Sequence, residues 1–248
     1  MNRYLKACSI LLVCVMSALS VIAQTGKRAA AAKAVHIDVS KDKVGGESTR
    51  FLSVVGNWAV VEDEGKKIYA VDGREWLRGN PSRSLAENAR AIYGSKHEEF
   101  IDNVKAFAYF PYAVAKQIDN FTDGEISTNF KMVSGKLDSC AGILFNLKPN
   151  GDYLTVRFNG KEDNVVLWTF NKGKRSFVKR GVENVPLERN KWYKLKVAIH
   201  GTSLQGYLND KLILEFTLAE PVSGKVGLWS KTDSVSYFDD YTVVAAAK

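Results

Sequence analysis

Glu125–Met132 reads EISTNFKM and Trp192–His200 reads WYKLKVAIH. In the first stretch Ile126, Thr128, Phe130 and Met132 alternate with Glu125, Ser127, Asn129 and Lys131. In the second, Tyr193, Leu195, Val197 and Ile199 alternate with Lys194, Lys196, Ala198 and His200. Successive side chains of a strand point to opposite faces, so a period of two means one buried face and one polar face. A helix would space its apolar residues by three or four. Both stretches are therefore expected as strands lying half-buried on a core.

The same pattern extends in both directions. Toward the N-terminus, Phe51–Val55, Trp58–Glu62 and Lys67–Val71 are short β-prone runs separated by Gly56-Asn57 and Asp63–Lys66. Further strands are expected at Tyr153–Asn159, Asn164–Asn171, Ser203–Leu208, Lys211–Thr217, Val226–Ser230 and Val235–Val244. Their turns, among them Pro149-Asn150-Gly151, Asn171-Lys172-Gly173 and Asn209-Asp210, carry residues that tolerate tight reversals. Roughly a dozen antiparallel strands with short connections predict an all-β chain, a two-sheet antiparallel jelly-roll sandwich. Ser84–Ala91 and Glu98–Phe107 depart from this: Leu85, Ala89 and Ile92, then Phe100, Ile101 and Val104, recur every three or four residues. They predict a short helical insertion near residues 82–108. It would either shape a binding edge or lie as a lid over one end of the core.

The chain has 248 residues, 46% hydrophobic and 25% charged, proportions that exclude a wholly disordered protein. Met1–Lys6 carries Arg3 and Lys6, Ala7–Ile22 is an apolar run, and small residues precede Gln24. Residues 1–23 are expected to be a secretory signal peptide cleaved after Ala23, which would place the mature protein in the periplasm or outside the cell with no membrane span. The rivals are a retained anchor and a lipoprotein, but bulky Val13 precedes Cys14 where a lipobox needs a small residue. Residues 24–48 are expected as a flexible basic leader and 49–248 as the domain. Cleavage would leave Cys140 as the one mature cysteine, hence no intrachain disulfide, and its apolar surroundings mark it as a small buried hydrophobe. The net charge of +8, two units of it from Arg3 and Lys6, is spread among 27 acids, which reads as a solvated surface and not a nucleic-acid footprint.

The stretch GEISTNFKMVSGKLDSCAGILFNLKPNGDYLTVRFNGKEDNVVLWTF (Gly124–Phe170), with KWYKLKV (Lys191–Val197), GYLNDKLILEF (Gly206–Phe216) and SGKVGLWSKTDSVSYFDDYTV (Ser223–Val243), resembles bacterial exported members of the concanavalin A-like lectin/glucanase superfamily. Within it, the resemblance is to laminin G-like domains of the 3-keto-disaccharide hydrolase type and to family 16 glycoside hydrolases. It implies a concanavalin A-like jelly roll and carbohydrate as the substrate class. One departure matters. Family 16 glucanases carry Glu-x-Asp-x-Glu on a strand, so that both glutamates enter the cleft as nucleophile and acid/base. Here Glu62-Asp63-Glu64 falls in a turn and Phe238-Asp239-Asp240 puts adjacent acids on opposite faces, so a conventional retaining glucanase is not expected.

In Tyr153–Asn159, Leu154, Val156 and Phe158 point one way, expected as core together with Leu195 and Val197. Tyr153, Thr155, Arg157 and Asn159 point the other way, toward a concave cleft. With Asn146 and Trp168 on neighbouring strands, this face would offer a bidentate cation, amides and an indole, groups suited to paired hydroxyls and to the apolar face of a sugar ring. Asn164 and Glu162 sit at the adjoining turn, and Lys231 and Asp233 lie where the resemblance is densest. If the protein is an enzyme, Glu162 or Asp233 is the expected acid/base and Arg157 the electrostatic stabiliser. Calcium is weighed at Asp239 and Asp240 as the lesser expectation, and no metal residue is assigned. His36, His97 and His200 are too scattered to pair as zinc ligands. The basic run Lys172, Lys174, Arg175, Lys179 and Arg180 reads as a solvated hairpin, with acidic polysaccharide as the sharper alternative.

These residues predict an exported protein that binds an oligo- or polysaccharide on its concave face. The alternatives are a glycoside hydrolase of the 3-keto-disaccharide hydrolase type and a structural envelope or adhesion module.

Overall fold

The computed structural model describes residues 33–78, 85–96, 110–172 and 174–246. Its strands are β1 (Lys33–Ile37), β2 (Phe51–Val55), β3 (Trp58–Asp63), β4 (Lys66–Asp72), β5 (Tyr112–Ala115), β6 (Gly124–Ser134), β7 (Cys140–Leu147), β8 (Tyr153–Asn159), β9 (Asn164–Asn171), β10 (Lys174–Arg180), β11 (Trp192–His200), β12 (Ser203–Leu208), β13 (Lys211–Thr217), β14 (Lys225–Trp229) and β15 (Val235–Ala245). They form two antiparallel sheets. One runs β13-β12-β11-β6-β15-β4-β3, with β1 also on β15, and the other β10-β9-β8-β7-β14-β5-β2. The helix α1 (Leu85–Tyr93) is followed by a single 3-10 turn at Gly94–Lys96.

The alternation seen in EISTNFKM sets which side of β6 is inside. Ile126, Phe130 and Met132 are fully buried between the sheets, facing Val156 and Phe158 of β8 and Leu195, Val197 and Ile199 of β11. Thr128 shares this phase because its hydroxyl donates to the carbonyl of Asp239 at 3.0 Å, so no polar atom is left bare in the core. Leu154 is only half-buried, packed at the margin. On the opposite phase, Lys131 is also buried: it pairs with Asp63 and lies 5.1 Å from the Trp192 ring centre.

One expectation is corrected. The leader was expected to stay flexible to residue 48, yet Lys33–Ile37 pairs with Ala245–Tyr241 of β15. After it, Asp42 accepts hydrogen bonds from Ser48 Oγ and from the amide of Thr49, and Gly45 donates to the carbonyl of Val60. Strand pairing and turn hydrogen bonds thus extend the domain to residue 33 at least. The run Lys174–Arg180 is the edge strand β10, which makes the expected hairpin with β9 through a register shift between Phe177 and Lys179; Lys174, Lys179 and Arg180 are exposed and Arg175 is half-buried. The signal peptide, residues 24–32, the helix at 98–107 and His97 lie outside the described residues.

A second apolar cluster sits on the far face of the seven-stranded sheet. There Tyr112, Tyr153, Phe170 and Trp229 pack with Phe110 and with Ala89 and Tyr93 of α1. The helical segment therefore covers one end of this face, as a lid would. Tyr153 and Phe170 stack with centroids 4.2 Å apart and Phe110 stacks on Trp229 at 5.8 Å, contacts that add to the area these rings bury.

Candidate functional site

Register explains which side chains gather at the polar end of that face. Residues directly opposite in paired strands share a face. Cys140 pairs with Asn159 and Asn159 with Asn164; Gly142 pairs with Arg157 and Arg157 with Val166; Leu144 pairs with Thr155 and Thr155 with Trp168. Asn159, Arg157, Asn164 and Trp168 therefore lie side by side, as the alternation predicted. Glycine at 142 is what accommodates the arginine, since a Cβ there would stand 2.9 Å from the Arg157 Cβ.

Arg157 is 2% exposed. Its Nη1 donates to both the backbone carbonyl and the side-chain oxygen of Asn164, and its Nη2 donates to Glu162 Oε2 at 2.8 Å. Its Nε has no acceptor. The guanidinium carbon lies 5.9 Å from the Trp168 ring centre. Asn164 Nδ2 also donates to Glu162, at 3.2 Å. Burial tends to raise the Glu162 pKa, but the Arg157 charge and these hydrogen bonds outweigh it and hold the carboxyl below its ordinary range.

Beside this group, Asp138 takes the remaining polar partners. Asn159 Nδ2 donates to it at 3.1 Å, Lys231 Nζ lies 3.0 and 2.9 Å from its two oxygens, and Thr232 Oγ1 donates at 2.9 Å. Thr232 itself has φ 51°, a left-handed conformation that β-branched residues rarely adopt. Such conformations cost on the order of 1–3 kcal/mol and persist where the surroundings over-determine them, here through Asp138.

The other expected residues are placed elsewhere or in other roles. Asp233 is buried and accepts three backbone N–H bonds, from Lys136 at 2.6 Å, Leu137 at 3.1 Å and Asp138 at 3.0 Å. Burial tends to raise its pKa, but these donors outweigh it and keep the carboxyl below its ordinary value. In this position Asp233 holds the Lys136–Asp138 turn together. Tyr153 does not face a cleft: the lid buries it, and Trp229 Nε1 donates to its hydroxyl. Asn146 lies at the opposite end of β7, at φ 56°, where its side chain accepts from the amide of Ser223 at 2.9 Å. That left-handed bulge, which asparagine tolerates, takes it out of the alternation. Asp239 pairs with Lys66, and Asp240 accepts from Asn129 at 2.8 Å. Among the described residues no three His, Cys, Asp or Glu side chains group as metal ligands.

Sequence reasoning gave no site role to Asp138 or Phe177 and placed Arg175 only within the basic run. Arg175 stacks 4.2 Å from the Trp168 ring centre and 5.0 Å from that of Phe110, and Phe177 meets Trp168 edge-on at 5.7 Å while remaining 59% exposed. Their signal was the alternation Arg175-x-Phe177 after the β9–β10 turn, which puts both on the face of Trp168. A separate cavity of about 380 Å³ lies at β3 and β4, lined by Trp58, Ala59, Ala70, Asp72, Arg74 and Tyr237. There Asp72 already holds Arg74 through Nε at 2.8 Å and Nη2 at 2.6 Å.

No protein-family model and no curated protein matches the chain. Among solved structures it is similar to the carbohydrate-binding module CBM66 from Bacillus subtilis, with a TM-score of 0.55 and 17% identity over 79% of this chain and 96% of that one. It also matches a Bacillus licheniformis β-glucanase (TM-score 0.41, 13% identity, 54% of this chain and 71% of that one) and a tetrameric galectin from the ball sponge Cinachyrella (TM-score 0.42, 11% identity, 54% and 99%). The sheet order and the similarity to CBM66 lead to one conclusion at the level of fold: the chain is a two-sheet antiparallel jelly-roll sandwich.

Proposed function

We propose that this is an exported, periplasmic or extracellular, saccharide-binding protein that takes its ligand at the polar end of the concave face, around Arg157, Asn159, Asn164, Trp168, Glu162 and Lys231. One observation carries it: a buried arginine lies beside a half-exposed indole, its planar donors fixed by Asn164 and Glu162 and one N–H left without an acceptor. Sugar recognition needs such planar, pre-oriented donors for hydroxyl pairs and an aromatic face for the ring's C–H surface. The fold shared with a carbohydrate-binding module supports the same class of ligand. Binding is favoured over hydrolysis because a general acid needs a raised pKa, whereas Glu162 and Asp233 are both held low.

A glycan array read alongside a reducing-sugar release assay tests this. Retention of an oligosaccharide without sugar release is the expected result. Release of reducing sugar would establish the hydrolase alternative, and no glycan dependence at all would leave the envelope or adhesion module.

A further inference from the structure

Arg157 and Arg175 stand against the same indole, 5.9 Å and 4.2 Å from the Trp168 ring centre. Each carboxylate nearby is already engaged: Glu162 by Arg157, Asp138 by Lys231, and Asp233 by backbone amides. Arg175 makes no ion pair among the described residues, although it is half-buried. Arg157 Nε and Trp168 Nε1 are both buried without an acceptor. Among the described residues, this corner of the face thus holds surplus donors and one surplus positive charge. Burial and the neighbouring Arg157 charge both work against the charged form of Arg175. Two guanidiniums held close with too little counter-charge are an unfavourable arrangement that a bound anion relieves.

Resting on the saccharide reading above, we infer that the ligand is an anionic saccharide whose carboxylate or sulfate lies between Arg157 and Arg175, with a sugar ring against Trp168 and the exposed Phe177. The flanking strand fits such a ligand. β10 is a sheet edge, and Arg180, opposite Val166 and therefore on the face of Arg157, is exposed, whereas Lys179 opposite Leu167 points to the other face, so a chain of repeating acidic sugars running along it would meet positive charge beyond the first ring.

The test is an array of uronate-bearing, sulfated and neutral oligosaccharides probed with the full chain at about 50 mM and about 300 mM salt, and with Arg175→Gln and Lys179→Gln. Acidic spots are expected to bind most strongly, to weaken with salt, and to lose at least about tenfold in Arg175→Gln, while neutral spots do not change. Uronate or sulfate preference identifies which anion is bound. Lys179→Gln is expected to change acidic binding less than about twofold. Equal losses in the two variants would mean diffuse attraction and overturn the two-arginine site. Neutral spots binding as strongly as acidic ones, indifferent to Arg175→Gln, would overturn the anionic inference and leave the saccharide reading standing. Absence of binding to every spot would overturn both.

Discussion

Trp229 Nε1 donates a hydrogen bond to the hydroxyl of Tyr153 at 3.2 Å, joining β14 to β8 beneath the helical lid. Both side chains are buried. Removing only the hydroxyl, in Tyr153→Phe, leaves a buried indole N–H without its acceptor and should cost about 1–3 kcal/mol in urea unfolding. Glycan binding should be unaltered, because Tyr153 packs with Tyr112, Phe170 and Trp229 under the lid, apart from Arg157 and Asn164.

Phe158 points into the space between the sheets, where it meets Phe130 at 5.9 Å. Phe158→Ala should cost roughly 3–5 kcal/mol, measured by denaturant unfolding. A loss below about 1 kcal/mol would show that the two faces of β8 are reversed.

Asp233 predicts a pH dependence. Its native pKa lies below the ordinary value of 3.8, so its contribution to stability is fully present above that value and is lost as pH falls through the lower native pKa. Asp233→Asn should therefore reduce stability at neutral pH by roughly 1–3 kcal/mol and flatten the slope of stability against pH below about 4. A parallel loss at every pH would rule out the ionised carboxylate as the source.

Arg157 is bonded on two sides, so Arg157→Ala should both abolish glycan binding and lower stability by roughly 1–3 kcal/mol. Arg157→Lys is the more informative change. Lysine keeps the charge but lacks the planar fork that spans Asn164 and Glu162. A binding loss of at least about tenfold in a still-folded Arg157→Lys protein would identify directional recognition, and parental binding would remove Arg157 from the site.

Burial pushes the Cys140 thiol up to about 12, so it carries essentially no thiolate at neutral pH. A thiol reagent such as 5,5′-dithiobis(2-nitrobenzoate) should leave it unmodified in the native protein and label it on unfolding. Fast native labelling would contradict the packing around β7.

Strand identity was legible in the sequence because alternation is local: Ile126, Phe130, Val156 and Phe158 could be assigned to the core without knowing their partners. What covers the other face is not local information. Tyr153 and Arg157 share one phase of β8, yet the first lies under the lid and the second among polar partners. That division depends on where α1 comes to rest, some sixty residues earlier in the chain. Asp233 looked like a catalytic candidate because a carboxylate in a turn has the same sequence whether it meets substrate or backbone amides. Arg175 was read as solvated because only pairing with β9 reveals that it stands over Trp168.

The placement of β15 has a consequence for how the protein is made. Its first half pairs with β4, its second half with β1, and its other edge with β6. Lys33 meets Ala245, so the earliest described strand has no partner until residues 241–245 exist. Contacts this distant along the chain are slow to form, because the entropy of closing the loop precedes any gain from packing. The larger sheet can therefore close only after β15 has been made, and a chain truncated before Val235 would leave β6, β4 and β1 with open edges that invite pairing between molecules.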